Sequence, residues 1–253
     1  MPDCLGNAYC DPLVAGVGVY HESPPRDEAP FGTLGCFVTR TQGDYAGEPM
    51  GLSAAHVLTD WGSARGGMIA QPGGADEQDP RNLIGPLLDF TAVVTYPQAA
   101  QSDPDFPRPR NRADAALVLL RGRDLDPGYP ISRVGRPSGW VSLAQLVELV
   151  GSPVIQMGAA TAQVRRGRIG RFPFTKTVAW PDVPAEFVDQ ILIEPADPAE
   201  PAANHGDSGA VWVTEGDLRV VGLTIATHEQ DDRVFAVASP IEFVLKALDI
   251  ELL

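Results

Sequence analysis

The sequence predicts an all-β fold, and three observations carry that expectation. Short runs of β-branched and small apolar residues recur between turn-forming residues. The 253-residue chain holds 26 Gly and 24 Pro, more than ordinary globular usage and enough for many turns. Alternating strand–helix units, the mark of a parallel α/β sheet, are not evident.

The strand-like runs are 13–20, 34–39, 87–95, 115–120, 163–171, 187–194, 209–214, 219–224 and 234–239, each bounded by Gly, Pro, Asn or Asp. Two segments read as helices. One opens at Ser142 with a capping-type side chain and puts Leu143, Leu146, Val147 and Val150 on one face; the other opens at Pro240 and aligns Ile241, Val244, Leu245 and Leu248. Segment 97–113 is polar and proline-rich and predicts a long exposed loop, and 196–204 predicts a second.

A net charge of −14 would repel a phosphate backbone, so nucleic acid is not an expected partner. No apolar run approaches the roughly 20 residues of a membrane span. The opening residues lack a basic start and an apolar signal core, so the expected location is cytoplasmic. Cys4, Cys10 and Cys36 form no C-x-x-C pair, and free thiols are the simplest reading, with a Cys4–Cys10 disulfide left open for an exported chain.

Three segments carry chemistry. In 205–210 (HGDSGA), Ser208 sits in a glycine-flanked turn just before an apolar strand. Glycines there let backbone N–H groups converge beside a hydroxyl, as stabilising a tetrahedral oxyanion requires, although a plain surface turn uses the same residues. His56 lies among small apolar residues in 52–58 (LSAAHVL) and needs a hydrogen-bond partner there, which a backbone group in the core could equally be. Asp114 stands at the mouth of the apolar run 115–120, where an ionised carboxylate needs a donor: a histidine Nδ1–H, or Arg112.

In the order His56, Asp114, Ser208, with separations of 58 and 94 residues, these segments resemble the chymotrypsin-like serine peptidases. The resemblance spans about 14–252. Segment 32–38 is similar to the family's glycine-containing strand before the histidine, and 220–223 to the strand preceding the substrate-pairing edge. Segments 154–161 and 166–169, and the ending 238–248, resemble the intracellular bacterial branch, including the high-temperature-requirement type. The resemblance implies two six-stranded antiparallel β-barrels with the active site in the cleft between them. The expected layout is an N-terminal extension at 1–12, a first barrel at 13–121, a connector at 122–152, a second barrel at 153–239 and a C-terminal helix at 240–253.

It also implies roles. Ser208 is the nucleophile, His56 the general base, Asp114 the residue that orients the base, and the Gly206 and Ser208 amides form the oxyanion hole. Asp207 cannot be assumed to pair with a liberated α-amino group, and a nearby arginine is a possible substitute. The family's spacing puts Ala202 at the base of the primary pocket, with Ile225, Ala226 and Thr227 along one wall and Val234 near another. Ala202 cannot offset a buried cation, so Lys or Arg is not the expected preference. A small or medium apolar residue is the plainer expectation, with His205, Thr227 and Arg233 as donors if the side chain is acidic, and Asp231 and Asp232 able to bring a carboxylate inward by a loop rearrangement. Expected partners are a protein or peptide substrate and, through the basic stretch 163–176, an acidic region of a substrate or regulatory protein, against the plainer reading of a solvated hairpin. No cofactor or metal is expected, because neither His21-Glu22 nor His228-Glu229 continues into H-E-x-x-H.

Two other readings compete. An α/β-hydrolase elbow requires Gly where Ala210 stands, and only 45 residues follow Ser208. A catalytically silent peptide-binding protein on the same fold is the second alternative.

Overall fold

The computed structural model describes residues 4–22, 31–59, 67–73, 79–180 and 182–253. The first part builds β1 (Val17–His21), β2 (Gly32–Leu34), β3 (Cys36–Arg40), β4 (Met50–Ser53), α1 (Ala55–Leu58), β5 (Met68–Ala70), β6 (Leu83–Phe90) and β7 (Ala116–Leu119). These strands pair in the order β3-β4-β7-β6-β5-β1-β2, all antiparallel. Only Gly35 separates β2 from β3, and its amide turns to the Leu52 carbonyl at 2.8 Å. The two ends of that order are therefore one interrupted strand, and the sheet closes as a ring of six.

The second part builds β8 (Gly139–Trp140), α2 (Leu143–Glu148), β9 (Pro153–Met157), β10 (Val164–Ala179), β11 (Pro184–Pro195), β12 (Val211–Thr214), β13 (Arg219–Gln230) and β14 (Arg233–Pro240). Its order is β12-β9-β10-β11-β14-β13, and a β12–β13 pairing closes a second ring of six. Two additions bring the sheets to eight and seven strands. β8 runs parallel to β13, and the chain end adds to β3.

That chain end departs from the expected terminal helix. α3 (Ile241–Leu248) buries Ile241, Val244, Leu245 and Leu248 as its spacing predicts, and then Asp249 turns left-handed (φ 52°). The chain continues as β15 (Ile250–Leu252) and returns to the first barrel. Helix α2 starts at Ser142 as expected, with Ser142 and Gln145 forming a reciprocal cap.

The first barrel and the seam share one core, including Leu34, Met50, Leu52, Leu117, Val211 and Leu223. The second barrel holds Trp212 with Ile169, Ile191, Ile193 and Ala202. Burying one large apolar side chain fully contributes about 1.5–3 kcal/mol. A third cluster, with Phe187, Leu192, Ile225, Phe235 and Val237, lies where the β10–β11 hairpin packs on β13 and β14. The three cysteines are buried free thiols. Among the described residues, no helix is long and apolar enough to cross a membrane.

Candidate active site

Strand register places the histidine and the aspartate. Ser53 pairs with Ala116 at the end of β4 and β7, and His56 and Asp114 are the next few residues beyond that pair on the two antiparallel strands. The fully buried Ala54 and Ala55 let the one-turn helix α1 sit tightly against the barrel. Asp114 is 1% exposed. Its Oδ2 accepts from His56 Nδ1 at 2.6 Å, and its Oδ1 accepts from the His56 amide at 3.1 Å. An ionised carboxylate only accepts, so Nδ1 carries the proton and Nε2 keeps its lone pair. Arg112, the alternative partner, instead reaches Asp189 at 3.1 Å and lies over the Phe243 ring.

Ser208 is held by strands of both barrels. The Ser208 carbonyl accepts from the Thr33 amide at 2.7 Å, and the Gly206 carbonyl accepts from Thr33 Oγ1 at 2.9 Å. The Gly209 amide donates to the Thr224 carbonyl at 2.8 Å. Gly206 and Gly209 have φ of 94° and 90°, a region that L side chains rarely adopt. Both flanking carbonyls of the turn are thus tied to β2. Among the described residues, neither the Gly206 nor the Ser208 amide donates to a protein acceptor. Two N–H groups beside a serine hydroxyl are what an oxyanion site needs.

The partner of Asp207 is not the arginine considered from the sequence. Asp207 is fully buried, and its carboxylate accepts from the amides of Asn204 (2.9 Å), Ala160 (3.0 Å) and Thr161 (3.1 Å). Burial pushes its pKa up, and the three amides pull the other way. Gly158 makes this approach possible, because a Cβ there would lie 2.2 Å from Asp207 Oδ1.

His56 and Ser208 line one cleft of about 770 Å³, together with His205, Ile225, Ala226 and Thr227. Ala202 and Arg233 do not line it. Ala202 is fully buried in the second-barrel core, between the Val234 carbonyl and the Gln156 side chain. Arg233 lies over the Phe235 ring, 3.9 Å from Glu194. Asp231 and Asp232, both at positive φ, are the two exposed residues of the tight β13–β14 turn. In the basic stretch, Arg165 pairs with Glu200, and Arg166 with Glu215 at 3.1 Å. Among the described residues, no group of three or more His, Cys, Asp or Glu could hold a metal ion.

Sequence reasoning missed Phe31, Lys176 and Thr177–Ala179 of the cleft lining. It also missed Trp180, whose ring packs edge-on against His56 with centroids 5.8 Å apart. The alternation of 174–180 (FTKTVAW) was a usable signal, since it marks a strand with an apolar face.

The architecture is that of the chymotrypsin-like serine proteases, two six-stranded barrels with a cleft at the seam. Solved structures of that fold superpose over nearly the whole chain. A glutamic acid specific serine protease matches at TM-score 0.62 and 13% identity, covering 95% of this chain and all of the other. Thermobifida fusca protease A matches at 0.57 and 17% identity, covering 95% and 97%. Cellulomonas bogoriensis chymotrypsin matches at 0.57 and 18% identity, with the same coverage. By sequence, no described family and no curated protein matches the chain.

Proposed function

We propose that this protein is a serine endopeptidase that cleaves protein or peptide substrates through an acyl-enzyme. The observation that carries this reading is the doubly held His56–Asp114 pair in the same cleft as Ser208. His56 Nε2 takes the Ser208 proton as Oγ bonds to the substrate carbonyl carbon, and the carbonyl oxygen becomes an oxyanion facing the Gly206 and Ser208 amides. The C–N bond then breaks, and the amine leaves with the proton that His56 returns. Water repeats the sequence on the acyl-enzyme and regenerates the serine. Asp114 keeps the imidazole oriented and stabilises its cationic form.

Substrate reaches the site as an extended strand. β13 pairs with β12 only as far as Leu223, so one edge of its outer half carries no strand among the described residues and offers backbone partners beside Ser208. The described lining of the cleft includes no carboxylate, so cleavage after Lys or Arg is not expected. Casein hydrolysis by the wild type and by Ser208→Ala tests the reading: activity in the wild type alone supports it, and equal activity in both removes it.

A further inference from the structure

The chain contains only two lysines, Lys176 and Lys246. Lys246 is exposed and paired with Glu242, one helical turn away. Lys176 is half-buried in the cleft wall, and among the described residues no carboxylate lies within ion-pair distance of it. Its Nζ stands 3.5 Å from His228 Nδ1, beside a patch that includes Phe174, Phe187 and Phe235. An ammonium has three donors, and a contact with His228 engages one of them. A cation half-removed from water, with Glu229 acting on it only from beyond ion-pair distance, is costly, and in an acidic protein it stands out. Burial pulls its pKa below the usual lysine range.

Register tells which part of a substrate would meet it. Thr227 pairs with Ala236, a core neighbour of Ala202, whereas His228 pairs with Phe235, which belongs to the cluster under the β10–β11 hairpin. Consecutive residues of β13 thus face opposite sides, and a peptide laid along its free edge alternates likewise. If the side chain next to the scissile carbonyl takes the Ala202 side, the second and fourth before the bond take the hairpin side. Trp180, packed on His56, faces the nearer of these. Lys176, farther out beside His228, faces the other.

Building on the peptidase reading of the cleft, we infer that Lys176, backed by His228, selects a substrate carrying Asp or Glu at the fourth residue on the amino side of the scissile bond. The carboxylate would complete the missing ion pair in a partly desolvated site, where charge-assisted hydrogen bonds are strongest.

Two arms test this. In the first, a mixed peptide library is digested by wild type, Lys176→Gln and Lys176→Glu, and cleavage sites are read by mass spectrometry. The proposal expects about tenfold enrichment of Asp and Glu at the fourth position for wild type, as one charge-assisted contact would give. It expects no enrichment for Lys176→Gln and a turn towards Lys and Arg for Lys176→Glu. Cleavage without that enrichment, or enrichment unchanged in Lys176→Gln, overturns it. The second arm needs no catalysis: fluorescein-labelled peptide pools with Glu or Gln fixed at that position are titrated into Ser208→Ala and into Ser208→Ala with Lys176→Gln. Equal binding of the two pools to Ser208→Ala overturns the proposal even if the wild type cleaves. Tighter binding of the Glu pool, abolished by Lys176→Gln, upholds the acidic site, and a wild type that then cleaves nothing refutes the peptidase reading alone.

Discussion

Asp114 grips His56 at two points, taking the ring Nδ1–H at 2.6 Å on one carboxylate oxygen and the backbone amide at 3.1 Å on the other. One buried side chain therefore sets both where α1 begins and which tautomer the imidazole adopts.

Replacing Asp114 by Asn keeps the shape but lets the amide present an N–H₂ to Nδ1, which favours the wrong tautomer. The expected result is a fall in kcat of about 10⁴-fold with KM little changed. Steady-state kinetics on a fluorogenic peptide checks this. A loss below about tenfold would mean that the His56–Asp114 contact does not support the chemistry.

Gly158→Ala places a methyl carbon 2.2 Å from Asp207 Oδ1, a distance that forces one of them to move. The amides of Ala160 and Thr161 then lose their grip on Asp207, and the Gly206–Ser208 turn shifts. A misplacement of about 1 Å is enough to cost about 10²-fold in kcat. Activity should fall by that order while circular dichroism stays that of a β protein; an unchanged kcat would show that the 158–161 turn does not position the oxyanion site.

The acidic preference assigned to Lys176 should depend on pH in a defined sense. The attraction needs the ammonium form, and burial lowers the lysine's pKa, so the preference should fade with rising pH before an ordinary lysine, at about 10.4, would titrate. Glu229 opposes that shift; His228 beside Lys176, and His56 and His205 in the cleft, are the other titratable groups nearby. The ratio of kcat/KM for Glu and Gln peptides, measured as pH rises, checks this. A ratio still undiminished at pH about 11 would contradict it.

The candidate site was legible where chemistry dictates residue type locally. Ser208 needs glycines on both sides of its turn, His56 needs small neighbours, and Asp114 sits where a loop enters a buried strand. The six-stranded closure of each barrel was legible only through the family resemblance, since ring closure depends on pairings such as Val211↔Leu223 that leave no local pattern. The partners of Asp207 were hidden because they are backbone amides, which any sequence supplies. Three residues such as Ile250–Leu252 are too few to announce a strand after a helix. Lys176 was grouped with the arginines of its own stretch. Its place in the cleft depends on the 16-residue length of β10, which carries it past the salt-bridged Arg165 and Arg166 to the wall of the cleft.

The most direct test of the central claim is covalent. Wild-type protein treated with a biotinylated fluorophosphonate and digested for mass spectrometry should carry one adduct, on Ser208. Labelling should disappear in Ser208→Ala and fall sharply in His56→Ala, because the hydroxyl is nucleophilic only with its base in place. No adduct on the folded wild type, or an adduct that persists in Ser208→Ala, would contradict the assignment of Ser208 as the nucleophile.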